Sequence, residues 1–335
     1  AGKGLRATTG GLVVTAGVST FMANVGIGTA VPTDPATVLN TSVTSVGIIT
    51  AYRLYGDGQY LTGIATEGTV GTWTQDTPGN LVAGTGAGAA RDADTCFNIL
   101  IGCNSGASLN AGDQNVYLGC EAGRCTTAGV NNIAIGNRTG KCAQGGCNIT
   151  MGIQAGYNFS TGSSNIAIGS WAMSSDVVTG SYNVVFGQCA GQNISSGANN
   201  VFTGKCAGMY TQTGKCNVFS GFSAGKCRHS GCYNVAFGNF ALRGTSTPSN
   251  NSGNNNIGIG NSAGFKVKTG AGNIALGQFA MSSGDVTGDN NIAMGLCAGA
   301  DITSGKENVF LGKYAGCNTT TGCYNIAFGK LALGV

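Results

Sequence analysis

The chain has 335 residues, of which 60 are glycine, only 4 are proline and 9% are charged. So few charges leave little material for solvated helix faces, and scarce proline with no Gly-X-Y period excludes collagen. With 42% hydrophobic residues and a net charge of only +4, disorder and a nucleic-acid footprint are excluded too, and a repetitive all-β structure is expected.

A single histidine argues against His-dependent catalysis, and no cofactor or metal is implied. Fourteen cysteines without one Cys-x-x-Cys pair point to an extracellular or virion protein with disulfides rather than to a zinc site. No apolar run approaches the ~20 residues of a membrane span. The chain starts at Ala1 with no charged stretch leading into an apolar one, from which a fragment or a processed product is expected.

In chain order, residues 1–64 read as a thin, β-rich shaft. Short strands alternate with glycine turns at 26–29 (G-I-G-T), 46–50 (V-G-I-I-T), 55–58 (Y-G-D-G) and 61–64 (L-T-G-I). Residues 65–95 are poor in bulky apolar side chains and read as a neck or linker. From residue 96 to 335 the chain repeats itself around the pattern Asn-[Ile/Val]-x-apolar-Gly-x-x-Ala-Gly. The asparagines are Asn98, Asn115, Asn132, Asn148, Asn165, Asn183, Asn200, Asn217, Asn234, Asn256, Asn273, Asn291, Asn308 and Asn325. Successive asparagines are 17 residues apart, except for 16 after Asn132, 18 after Asn165 and Asn273, and 22 after Asn234.

We number positions within a unit from its asparagine as 0. Position 1 is Ile or Val in all fourteen units, position 3 is apolar in twelve, and position 4 is always glycine. Each unit is therefore expected to form one coil with two short strands and two turns. A coil this small cannot bury its apolar face alone, so the coils must stack into a parallel β-roll or solenoid of roughly 65 Å. The asparagine column is expected either to ladder from coil to coil or to cap turns.

With position 1 assigned to the core, position 2 (Tyr117, Phe202, Phe219 and Phe310, with alanine in six of the other ten units) is expected to face outward. An outward apolar column along a rod calls for burial against other copies of the chain, hence a fibrous homotrimer, with sugar stacking as the alternative use. Position 8 is glycine in ten units and Met173, Leu242, Met281 or Leu333 in four. The first three precede the lengthened gaps, so Gly106, Gly123, Gly140, Gly156, Gly191, Gly208, Gly225, Gly264, Gly299 and Gly316 are expected to adopt a turn that Met173, Leu242 and Met281 do not share.

Segments 131–136 (N-N-I-A-I-G) and 165–172 (N-I-A-I-G-S-W-A) resemble the left-handed parallel β-roll repeats of trimeric autotransporter adhesin heads. They resemble still more the Asn-Thr-Ala-Ile-Gly type repeats of bacteriophage tail-fibre proteins. A period of 17 is longer than is usual in adhesin heads, and cysteine is unusual there; both departures favour the phage-fibre resemblance. The series in residues 1–64 resembles shaft segments of marine bacteriophage structural proteins. The resemblance implies a non-enzymatic structural and adhesive fibre, located on the virion or otherwise on a bacterial cell surface. Its implied partners are further copies of itself, other virion or appendage proteins, and a host-surface receptor that could be a glycan.

Catalytic readings fare poorly. Asp92 and Asp94 fall in the neck, while Glu121, Asp176, Asp285, Asp289, Asp301 and Glu307 fall in separate turns, so no glycosidase-like pair is expected. Cys227 and His229 lack the third group that orients a dyad. The cysteines carry the remaining expectation. Cys142–Cys147, Cys227–Cys232 and Cys317–Cys323 each straddle an inter-coil turn and are expected as disulfide staples. Cys103–Cys120 and Cys189–Cys206 share columns of adjacent coils and are expected as axial disulfides, because stacked Cα atoms ~4.8 Å apart suit the bond. Cys125 and Cys142 share a column too, but Cys142 cannot serve both patterns, and recurrence of the turn-straddling pair at three turns favours Cys142–Cys147.

Overall fold

A computed structural model describes residues 74–76, 78–174, 177–247 and 251–334. The shaft expected over 1–64 lies outside the described residues, as do Asp176 and the start of the neck. The described part is an all-β parallel solenoid in which one three-residue strand per coil joins a single sheet in sequence order. Register is kept at every step, so position 1 pairs with position 1, 2 with 2 and 3 with 3.

Two expectations about the strand are corrected. There is one strand per coil rather than two. Beyond the bend the backbone runs through turns, although it still bonds to the next coil, as in Gly208 N to Ala224 O at 2.9 Å and Gly225 N to Ala241 O at 2.9 Å. The facing is also the reverse of that expected. Position 2 is sealed inside, with Leu100, Tyr117, Phe202, Phe219 and Phe310 fully buried, whereas the Ile/Val and apolar side chains of positions 1 and 3 look outward. A coil of 17 residues encloses too narrow a space for the two bulky side chains of positions 1 and 3, so the single, often small residue of position 2 turns inward, and β-branched side chains fit the pleated outer face well.

Inside, volume is shared between positions 2 and 8. Coils with Tyr117, Phe202, Phe219 or Phe310 at position 2 carry glycine at position 8, where an added Cβ would enter the ring. Coils with Ala167, Ala236 or Ala275 carry Met173, Leu242 or Met281 there, all buried in the core. The expected difference in turn conformation is absent. The position-8 glycines have φ of 52–62°, and Met173, Leu242 and Met281 have 48°, 43° and 48°, all left-handed. Burial of the large side chain offsets the ~1–2 kcal/mol that this conformation costs an L-residue. In the 18-residue coils, Val178 and Val286 pair with Phe159 and Val267 of the coils before, which restores the stack after the detour.

The stack begins earlier than the repeat spacing indicates. Leu81–Ala83 pairs in parallel with Ile99–Ile101, and Asn80, Gly84, Ala87 and Gly88 occupy the asparagine, glycine, alanine and glycine positions of a further coil within the stretch read as neck. A short strand, Thr74–Gln75, runs antiparallel to Leu81–Ala83.

The core is interrupted once. One buried cluster runs from Val82 to Ala134, and the next starts at Ala143. The break falls within the Asn132 coil, which is the shortest and, besides its asparagine, buries only Ala134, Thr139, Gly140, Ala143 and Gly145.

Candidate interaction surfaces

The asparagine column forms the spine. Each Oδ1 accepts the backbone N–H of the next asparagine, and in most coils its Nδ2 as well, as for Asn200 with Asn217 at 3.0 and 3.1 Å. Every Nδ2 up to that of Asn308 also donates to a turn carbonyl of its own coil, as from Asn200 to Gly214 O at 2.9 Å. Ladder and turn roles are thus combined in one side chain. At the start Asp76 replaces an asparagine: its carboxylate accepts Asn80 N at 2.8 Å and Asn80 Nδ2 at 3.0 Å, and also holds Arg91 Nε at 3.2 Å.

Two non-glycine columns are left-handed throughout. From the Asn98 coil on, position 6 (Glu121, Trp171, Cys189, Phe240 and their equivalents) has φ of 53–64°, and the residue before each asparagine is left-handed too, with glycine there only at Gly272. Both columns hand their N–H to the previous coil, as Glu121 N does to Cys103 O at 2.8 Å and Gln114 N does to Cys96 O at 3.1 Å. The coil-to-coil bonds therefore hold the strain, and residue type is left free for surface duty. Nothing in the sequence signals this, because almost any side chain occurs there.

The outer face of the sheet is apolar at position 1 over its whole length and at position 3 in every unit from Asn98 on except those with Thr203 and Ser220. Ile99, Val201 and Ile326 at position 1, and Met151, Phe186, Phe237, Ile259, Met294 and Phe328 at position 3, are exposed. Stacked parallel strands ~4.8 Å apart make this one continuous stripe. Trp171, Phe279 and Leu331 at position 6, with Phe222 at position 5, add exposed apolar side chains past the bend.

The charged groups are dispersed. Glu121 is held by Arg138 (3.2 Å), Arg124 (3.4 Å) and Lys141 (3.4 Å); Asp285 pairs with Lys268 (2.7 Å) and Asp289 with Lys306 (3.1 Å). Lys141 also meets the Tyr157 hydroxyl at 3.0 Å, the main reason its ammonium is held above the usual lysine range. Among the described residues no group of three or more His, Cys, Asp and Glu could hold a metal ion, and no helix is long and apolar enough to cross a membrane.

The disulfide expectation is corrected: all fourteen cysteines are free thiols. Cys142–Cys147, Cys227–Cys232 and Cys317–Cys323 lie on either side of turns that separate them, Cys227 being buried while Cys147 and Cys323 are exposed. Thiols that do influence one another are axial. Burial, together with the Cys125 thiol, pushes Cys142 up to about 12. Burial first and then the column partner raise Cys120 (by Cys103) and Cys189 (by Cys206), yet neither Cys103–Cys120 nor Cys189–Cys206 is bonded.

Arg228 is a buried residue that sequence reasoning missed. It sits at position 11, where neighbouring coils place Ile194, Thr211 and Val267, and is fully buried. The 22-residue Asn234 coil detours at this position, and Arg228 reaches across it. Its guanidinium donates to Val267 O (2.6 Å), Gly253 O (2.7 Å) and Asn234 Oδ1 (3.1 Å), while Nε has no acceptor. Burial pulls its pKa down to about 10.

No family model matches the chain, and comparison with curated proteins finds no match.

Proposed function

We propose that the chain is the repetitive part of a non-enzymatic attachment fibre, a phage tail fibre or similar appendage, and that it assembles as a homotrimer. The observation that carries this reading is the outward apolar stripe, unbroken at position 1 and broken at position 3 only by Thr203 and Ser220. A solvent-facing apolar strip running the length of a rod is a surface for association, and identical rods set side by side would cover it over their full length. Rigid repetition is the property a reaching appendage needs, and the free choice of residue at the left-handed columns allows a binding surface to vary without altering the coil. The same resemblance gives a bacterial cell-surface adhesin or filament as the second reading.

Light scattering on the purified chain tests the assembly, with three chains per particle expected and a monomer refuting the trimer. Gold-labelled antibody against the chain, imaged on intact particles, tests the location. Label on virion appendages supports the fibre, whereas label confined to bacterial surfaces overturns it in favour of the adhesin.

A further inference from the structure

Charge is distributed unevenly along the rod. Residues 177–284 contain no Asp or Glu, yet they hold five lysines and two arginines of the chain's 17 basic residues, while all 13 acidic residues lie elsewhere. Arg228 points into the core and Lys268 is paired with Asp285. That leaves Lys205, Lys215, Lys226, Arg243 and Lys266 without a carboxylate partner among the described residues.

Three of these converge. Lys226 and Arg243 occupy position 9 of successive coils, and Phe265 and Lys266 occupy positions 9 and 10 of the next. The Arg243 guanidinium lies 5.8 Å from the Phe240 ring centroid and 5.2 Å from that of Phe265, and Phe240 meets Phe222 and Phe265 edge to face. Its Nε is shut off from solvent without an acceptor. Held against two rings that themselves meet edge to face, the guanidinium is already oriented, so a ligand spends little conformational entropy in engaging it. Next to it, Ser262, Phe265, Lys266, Phe279, Ser282 and Ser283 line a groove of about 290 Å³, with the Phe279 ring exposed.

The chemistry of this cluster is specific. Aromatic faces beside hydroxyls suit the apolar face and hydroxyl rim of a sugar ring, and a fixed guanidinium with an adjacent ammonium suits an anionic substituent. We propose that Arg243, Lys266, Phe279 and the serines of this groove bind an anionic saccharide, with Lys226 extending the contact to the next charged unit of a polymer. This rests on the attachment reading for the origin of its ligand, and names the ligand class that reading leaves open. Phosphate and carboxylate substituents share the chemistry.

The test uses the full chain on biosensor surfaces bearing phosphomannan, polygalacturonate or neutral dextran. Binding to at least one of the charged polymers and not to dextran is expected, and their ratio separates phosphate from carboxylate. Arg243→Gln with Lys266→Gln is expected to weaken that binding at least tenfold, whereas Lys330→Gln, in the last coil, leaves it unchanged. Arg243→Lys keeps the charge without the planar fork and is expected to fall in between, provided gel filtration shows an unaltered fold. Phe279→Ala is expected to weaken saccharide binding while leaving retention on inorganic polyphosphate intact. Equal binding by wild type and the double glutamine variant, or no binding to either charged polymer, overturns the site. Attachment of labelled fibre to host cells is scored separately: attachment that survives the double variant refutes the site and spares the fibre reading, and polyanion binding without any attachment does the reverse.

Discussion

Replacing Asn200 by alanine tests the amide spine where it is fully enclosed. The substitution removes donations to Asn183 Oδ1 and Gly214 O and the acceptance of two hydrogens from Asn217. Asn183 Oδ1 keeps the backbone N–H of residue 200, and Asn217 Nδ2 keeps Gly231 O. Two buried groups are stripped outright: the Gly214 carbonyl and the Asn217 backbone N–H. At about 1–3 kcal/mol for each orphaned group, plus the void left behind, the loss is about 3–5 kcal/mol. Asn325 supplies the control. Its side chain donates only to Asn308 Oδ1, which also accepts the Asn325 backbone N–H, so Asn325→Ala is expected to cost about 1 kcal/mol or less. Because a stacked array need not unfold in one step, the measurement is native-state hydrogen exchange at the amides of the coils from Asn183 to Asn217, alongside urea midpoints. Asn200→Asp adds a sign. Its carboxylate can still accept but would face two oxygens it cannot donate to, so its folded pKa lies above the usual ~3.9, and the variant regains stability as pH falls through that raised value. Equal costs at Asn200 and Asn325 would refute the ladder as a source of stability.

Phe219→Ala is expected to cost about 3–5 kcal/mol and Gly225→Leu to overpack the same coil, yet the double variant copies the native Ala236–Leu242 pairing and should recover much of the loss in thermal melts. Arg228→Met removes a buried charge that has no carboxylate and orphans only the Val267 carbonyl, so it is expected to be neutral or stabilising by about 1 kcal/mol, whereas Arg228→Ala leaves a cavity and destabilises. Since burial depresses the folded guanidinium to about 10, its penalty is full below pH 10 and eases as pH rises from there toward the ordinary arginine value; the wild type should gain on Arg228→Met only as pH rises above about 10. Unreduced protein unfolded in urea is expected to take up fourteen alkyl groups by mass spectrometry, and native protein to label at exposed Cys103, Cys147 and Cys323 well before Cys142 and Cys227, whose raised pKa values suppress the thiolate. Fewer than fourteen adducts would restore the disulfide expectation.

The parts of this fold legible in the sequence are those where backbones touch. Position 4 must be glycine because a Cβ there meets the next coil's backbone, 2.7 Å from Gly221 O in the case of Gly204, and because φ is 124°. Asparagine is fixed by the same crowding, since its amide alone can both accept from and donate to neighbouring coils. The inward direction was not legible, because Ile and Val at position 1 read as core by hydrophobicity while alanine at position 2 does not. Asn80 carries a recoverable signal, with Gly84, Ala87 and Gly88 at the right offsets, masked by Leu81 where every other coil has Ile or Val. Arg228 was not legible at all, because its burial depends on a detour in the following coil. The Phe240–Arg243–Phe265 cluster likewise depends on stacking residues 22 apart, a separation set by that same detour.

The Asn132 coil has a mechanical consequence. In a one-dimensional stack, cohesion is the sum of nearest-neighbour couplings, and a chain of couplings parts where one is smallest. Across this coil the amide spine continues through Asn115, Asn132 and Asn148, but the greasy filling lapses between Ala134 and Ala143. Under tension or partial denaturation the rod should open at this fault line into a short N-terminal foldon and a long C-terminal one. The opening would expose Cys125 and Cys142 to reagents, while the coils from Asn183 onward stay closed.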